Sequence, residues 1–161
     1  MVNSLVLIIC FIGFSFPQIQ YDGNPKFFDN SYLDIDYIQI DQNNIIDREF
    51  HSMVFQFGHE YDVNIDFFND ATLIQAGDNN IYLLGIESSG AYSIGLNFNE
   101  FYLTQHSRLF FYDDERSFII GSFDQRNNKP TQSLTTSLIK SDRIIIELSI
   151  PQNELLYFRM P

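Results

Sequence analysis

Tyr92-Ser-Ile-Gly-Leu-Asn-Phe98 and Ile144-Ile-Ile-Glu-Leu-Ser-Ile150 decide the fold of this chain. In the first, Tyr92, Ile94, Leu96 and Phe98 recur at every second position, with Ser93, Gly95 and Asn97 between them. In the second, Ile144, Ile146, Leu148 and Ile150 alternate with Ile145, Glu147 and Ser149. A period of two sends successive side chains to opposite sides of a pleated strand, so each stretch predicts a strand with one buried face. Working outward from these two, the apolar runs predict further strands at Asp62–Phe68, Thr72–Gln75, Ile81–Ser88, Arg108–Tyr112, Ser117–Phe123 and Ser133–Ile139. The two quoted stretches extend the set as Tyr92–Phe98 and Arg143–Ile150. Such spacing is typical of sandwiches.

The connections have the chemistry that turns require. Ala76-Gly-Asp-Asn-Asn80 and Ser88-Ser-Gly90 supply residues that tolerate positive φ, and Tyr112-Asp-Asp-Glu-Arg116 suits a tight hairpin. Asn127-Asn-Lys-Pro130 interrupts the strands, because proline has no N–H to give a ladder. No strand–helix alternation and no internal repeat is present. The expected fold is all-β, an antiparallel β-sandwich of jelly-roll type, with an N-terminal hydrophobic signal helix.

The chain divides by composition. Leu5-Val-Leu-Ile-Ile-Cys-Phe-Ile-Gly-Phe14 is an apolar run shorter than a bilayer span and is followed by polar Gln18-Ile-Gln20, so 1–20 reads as a signal peptide. Residues 21–57 form an extended leader with ambiguous short elements, among them a short strand around Leu33–Ile40. Residues 58–152 are the β-sandwich, and 153–161 form a tail expected to lead toward a further domain. The signal implies an exported protein. Cys10 is the one cysteine, so removal of the signal leaves no thiol for a disulfide, a nucleophile or a thiolate metal site. With 45% hydrophobic residues, 17 Phe and 9 Tyr, the chain has enough apolar matter for a core. A net charge of -12 repels nucleic-acid phosphates and anionic lipid, which sets both aside as partners and favours a basic protein or cations.

The search for chemistry yields little. His51, His59 and His106 occur without a Gly-x-Ser-x-Gly elbow or a Gly-Asp-Ser-Gly context, so no catalytic residue is assigned. Asp34 with Asp36, Asp62 with Asp66, and Asp113-Asp114-Glu115 lack the spacing of a calcium loop. No metal or cofactor is expected. Phe98, Phe101, Tyr102, Phe110, Phe111 and Tyr112 are explained first by core packing. The candidate partner-docking residues are Phe101 and Tyr102, with Asn127, Asn128 and Lys129 in the loop that follows the strands.

Several runs carry a resemblance. They are Val63-Asn-Ile-Asp66, Gly77-Asp-Asn-Asn-Ile-Tyr-Leu-Leu-Gly-Ile86, Ser89-Gly-Ala91, Phe98-Asn-Glu-Phe-Tyr-Leu103 and Leu109-Phe-Phe-Tyr-Asp113. Ile120-Gly-Ser-Phe123, Asn127-Asn-Lys129 and Ser141-Asp-Arg-Ile-Ile-Ile-Glu-Leu148 continue the series. In order and spacing they resemble the amino-terminal pro-region of bacterial secreted lysyl endopeptidases, which are trypsin-like serine proteases. The likeness covers the central and C-terminal two thirds of the chain and the non-catalytic part of the family only. It implies a propeptide that assists folding or latency of a downstream or cognate serine protease domain. The alternative expectation is a stand-alone exported β-sandwich that binds glycan or protein at the cell surface.

Overall fold

The computed structural model describes residues 23–29, 35–43 and 58–157. The signal segment 1–20 and the ambiguous stretch 44–57 lie outside them. The described chain is all-β with little helix. Its elements are β1 (Tyr37–Gln39), α1 (Phe67–Asp70), β2 (Thr72–Ala76), β3 (Asn79–Glu87), β4 (Asn97–Phe98), β5 (Arg108–Asp113), β6 (Ile119–Phe123), β7 (Leu134–Thr135) and β8 (Arg143–Pro151). Two short 3-10 turns, Gln125–Asn127 and Gln152–Tyr157, complete the set. β1 to β3, β5, β6 and β8 make one six-stranded sheet, and β4 pairs with β7 in a separate two-stranded ladder.

β3 and β8 are the long central strands, antiparallel from Asn79↔Pro151 to Glu87↔Arg143. β5 continues the sheet beyond β8, and β6 lies outermost on that side. The other edge of β3 is shared in succession: β2 runs antiparallel along Asn79–Leu83, and β1 runs parallel along Gly85–Glu87. The sheet is therefore mixed, where a purely antiparallel arrangement was expected. The parallel pair is open to β1 because β1 reaches the sheet by the long route through the leader and not by a hairpin.

The larger difference concerns the faces. One face carries Tyr82, Leu84 and Ile86 of β3, Ile144, Ile146 and Leu148 of β8, and Leu109 and Phe111 of β5. Against it pack Phe67 of α1, Phe101, Leu103, Leu134 and Ile139. The opposite face carries Ile81, Leu83, Phe110, Tyr112 and Ile145, with Ile35, Phe27, Phe28 and Tyr37 laid over it. Both faces are buried, so the expectation of a single buried face on β8 is corrected: Ile145 is 1% exposed and Glu147 is 0% exposed. Segments from the N-terminal end of the described chain, and not solvent, meet the second face.

Further corrections are local. Asp62–Phe68 is not a strand; Asp66 accepts a hydrogen bond from the Asn69 amide at 3.3 Å and caps the single turn of α1. Tyr92–Phe98 forms a strand only at Asn97–Phe98, with one bridge between Ile94 and Ile139. Tyr92, expected on the buried face, is 94% exposed. Ser133–Ile139 contributes only the two residues of β7. The turns hold to expectation: Gly77 has φ of 62° between β2 and β3. Asp113 organises the β5–β6 hairpin by accepting hydrogen bonds from the amides of Ser117 (2.8 Å) and Phe118 (2.7 Å).

One glycine is fixed by close approach. A Cβ on Gly85 would lie 2.7 Å from Cδ1 of the Tyr37 ring and 2.9 Å from the Asp36 carbonyl oxygen. The ring of Tyr37 also lies under the Arg143 guanidinium, 5.1 Å from its centroid. β1 is thus seated where β3 has no side chain. Gly85→Ala is expected to displace β1 and to cost about 1–3 kcal/mol, the usual range for overpacking, read as a lowered midpoint in urea unfolding.

Candidate functional site

The sequence candidates converge on one corner of the molecule. The Asn128 side chain accepts a hydrogen bond from the Leu103 amide and donates one to the Leu103 carbonyl, both at 2.8 Å. It serves that residue as a strand neighbour would. The Phe101 amide donates to the Gln132 carbonyl at 2.6 Å. Asp124 caps the 3-10 turn that carries Asn127, and the Asn127 side chain accepts from the Asp124 amide at 3.0 Å. Burial would raise the Asp124 carboxyl, but the side-chain and backbone hydrogen bonds from Arg126 outweigh it and hold the group low.

The five residues thereby divide. Phe101 is fully buried against Phe98, Asn127 is buried as a cap, and Asn128 works as an internal clamp. Tyr102 and Lys129 face solvent and are the two with surface to offer a partner.

Beside this corner lies a cleft that residue patterns did not announce. It encloses about 610 Å³, within the range of ligand-sized pockets. Its floor is the sheet itself, at Leu84, Ile86 and Ile146, with Phe67 and Phe98 at the sides. The rim is polar and acidic, with Asp62 and Asn64 on one bank and Asn97, Asn99 and Glu100 on the other. α1 creates the opening. Its single turn drives Phe67 into the core, where Phe67 and Phe68 pack edge to face at 5.7 Å and Phe68 meets Tyr82 at 4.8 Å. The preceding residues 62–65 are not a sheet strand and line the opening, over a floor whose Leu84, Ile86 and Ile146 side chains stay buried. A smaller cleft of about 320 Å³ adjoins it, sharing Val63, Ile86, Leu96 and Asn97 and flanked by His59 and Glu60. The Asp66-x-x-Asn69 capping pattern was the available sequence signal for this break in the strand series.

The second face holds a different polar feature. Glu147 lies at its centre, opposite Leu83 on β3 and Phe110 on β5. Its carboxylate accepts hydrogen bonds from two successive backbone amides, Lys26 and Phe27, the latter at 3.1 Å. It also accepts from the Tyr112 hydroxyl at 3.1 Å. Burial pushes the Glu147 carboxyl above its ordinary value, and these three hydrogen bonds and the Lys26 charge oppose that rise only in part. Burial and the adjacent carboxylate push the Tyr112 phenol strongly upward, so it stays a donor.

The remaining charged groups are superficial. Arg143 pairs with Glu87 at 2.8 Å and with Asp114 at 3.4 Å. His106 meets the Glu154 carboxylate at the other end of β8. Among the described residues no group of three or more His, Cys, Asp or Glu is placed to hold a metal ion. No helix among them is long and apolar enough to cross a membrane. No protein family, curated protein or solved structure matches the chain. The arrangement therefore has to be read from its own chemistry. It offers an acid-rimmed apolar cleft on one face and a carboxylate that gathers backbone amides on the other.

The raised Glu147 carboxyl makes stability depend on pH in a defined direction. The folded state holds this proton more tightly than the unfolded chain does. The contribution is therefore fully present below the ordinary carboxylate value and is lost as pH rises through the raised one. Chemical unfolding of the wild type and of Glu147→Gln should give stability curves that diverge across that window. The glutamine variant should lack the wild type's fall; parallel curves would refute the assignment.

Proposed function

We propose that the chain is a non-catalytic docking module, the pro-region of a secreted lysyl endopeptidase-like serine protease, which assists folding or latency of the catalytic domain. The observation that carries this reading is the cleft over Leu84, Ile86 and Ile146 with Asp62 and Glu100 at its rim. An apolar floor within an acidic rim suits a basic protein surface that presents an apolar side chain beside a cation. Rim charges of this kind steer association and set register, while the floor supplies the contact that lasts. The net charge of -12 acts in the same direction over the whole module. Exposed Tyr102 and Lys129 extend the contact face beyond the cleft. On this reading 1–20 is an export signal, and the β4–β7 layer packed on the six-stranded sheet is the second layer of a sandwich. A trypsin-like domain is rich in non-local strand pairing and folds slowly, so a preformed β surface beside it lowers a barrier built from loop closure.

A second reading, a stand-alone exported module for glycan or protein, is favoured by Tyr92 at 94% and Tyr102 at 43% exposure, rings available for stacking.

The test adds purified residues 21–161, at about micromolar concentration, a usual level for transient partners, to a lysyl endopeptidase-type catalytic domain. Turnover should slow, or the yield of active enzyme on refolding should rise. The Asp62→Asn, Glu100→Gln double variant should weaken the effect and flatten its salt dependence. Unchanged turnover and unchanged refolding yield would overturn the pro-region reading. Saturable glycan binding that Tyr102→Ala abolishes would establish the second one.

A further inference from the structure

We propose that the Glu147 face of the sheet is a docking groove for a short bent peptide segment, and that residues 24–29 are its exchangeable occupant, supplied by the chain itself. The proposal stands independently of the protease reading. Residues 23–29 form no strand, yet they cross the centre of a sheet face. They are held by the Glu147 carboxylate, one oxygen to the Lys26 amide and the other to the Phe27 amide. Two adjacent amides reach one carboxylate because the chain bends at Lys26 and Phe27 and turns at Phe28 and Asp29, whereas successive N–H groups of an extended strand point to opposite sides; what is recognised is a bent backbone. Side-chain selection comes from the flanks. Pro25 is buried, and the Phe28 ring meets the Tyr112 ring edge to face at 5.4 Å. The Lys26 side chain points to solvent and is free to vary.

Exchange follows from how each part is anchored. β1 has its own ladder on β3, from Tyr37↔Gly85 to Gln39↔Glu87, so the segment before it can leave without β1. Departure opens Glu147 and Tyr112 to water, and a carboxylate is well solvated there. The empty groove therefore contains no orphaned charge, whereas a wholly apolar face would have only the cost of exposure. The groove opposite the cleft is thus occupied by a built-in competitor of defined sequence.

The experiment uses residues 21–161 with Phe27→Ala and Phe28→Ala, which weaken the resident segment and leave Glu147 and Tyr112 intact. The probe is a labelled peptide of the Gly23–Asp29 sequence. Saturable binding is expected, with little change when the peptide carries alanine for lysine at the Lys26 position. N-methylation at the Phe27 amide should lower affinity about tenfold or more, the loss of one charge-assisted hydrogen bond. Absence of binding by the folded variant, or equal binding of the N-methyl peptide, would overturn the proposal. Should that variant not fold, hydrogen exchange on the unaltered chain decides. The Lys26 and Phe27 amides should open about tenfold or more often than the Leu84 amide of β3. Exchange of all three only through global unfolding would overturn it.

Discussion

A carboxylate with no exposure, at the middle of the central strand pair, governs how this chain closes. Glu147 sits on β8 between β3 and β5, as far from either sheet edge as the fold allows. A charge in that position is tolerated only with donors around it, because burial of an unsatisfied carboxylate costs several kcal/mol. The sheet itself supplies one donor, the Tyr112 hydroxyl. The other two come from Lys26 and Phe27, more than a hundred positions away in sequence. One polar side chain thereby selects which segment covers the second face, and at which residues. Ile81, Leu83, Phe110 and Ile145 supply the apolar area but do not themselves choose between one covering segment and another. Hydrophobic burial is non-directional; the carboxylate provides the direction.

The two faces are consequently sealed by different means. The first is covered by the connections between β3 and β5 and between β6 and β8, whose Phe101, Leu103, Leu134 and Ile139 make an apolar layer. Asn128 and the Asp124–Asn127 cap hold those connections together by satisfying backbone groups that no strand reaches. The second is covered by a short segment hung on one side chain. Electrostatics differ in the same way. Half-buried Glu87 is held low, chiefly by hydrogen bonding from Gln39 and then from Arg143, while Glu147 is pushed up by burial. The acidic surface and the acidic interior thus answer to different forces, and only the second is structural.

Much of the sheet was legible. Alternation located β8, the apolar run from Ile81 located β3, the Gly77 and Asp113 turns fixed the β2–β3 and β5–β6 hairpins, and the all-β class followed. What alternation concealed was the second buried face. Ile144-Ile145-Ile146, Leu83-Leu84 and Phe110-Phe111 are consecutive apolar residues, and a strand apolar at neighbouring positions is covered on both sides. Read on period alone, Glu147 belongs to solvent. Its real environment depends on Tyr112 and on the amides of Lys26 and Phe27, a conjunction of distant positions to which no local pattern points. The docking candidates lie in two separate stretches that the structure ties together through neighbours, Leu103 to Asn128 and Phe101 to Gln132. Their division into buried Phe101 and exposed Tyr102 was not legible, because it depends on how far the loop is drawn down by Asn128. The cleft was hidden because its floor consists of ordinary strand residues. It exists only because the turn of α1 prevents 62–65 from continuing the sheet.

The routes open to a partner narrow when edges and faces are taken together. A sheet recruits extended chains most readily at its edges, and both edges here are blunted. β6 is bulged against β5, the register shifting between Leu109 and Phe110, and Gly121 lies so close to β5 that a Cβ would meet the Leu109 carbonyl at 2.8 Å. The opposite edge is split between two short strands of opposite direction, β1 and β2, so no single incoming strand can run its length in one register. Of the faces, one is filled by residues 23–29. The other is layered over, and the layer is indented by the cleft above Leu84, Ile86 and Ile146. There the covering layer is indented beneath an acidic rim, although Leu84, Ile86 and Ile146 stay buried. Ile146 and Glu147 are adjacent on β8 and project to opposite sides, so one strand carries the cleft floor and the anchor of the covering segment. A partner pressed onto the cleft would therefore bear on the same backbone that holds Lys26 and Phe27 in place.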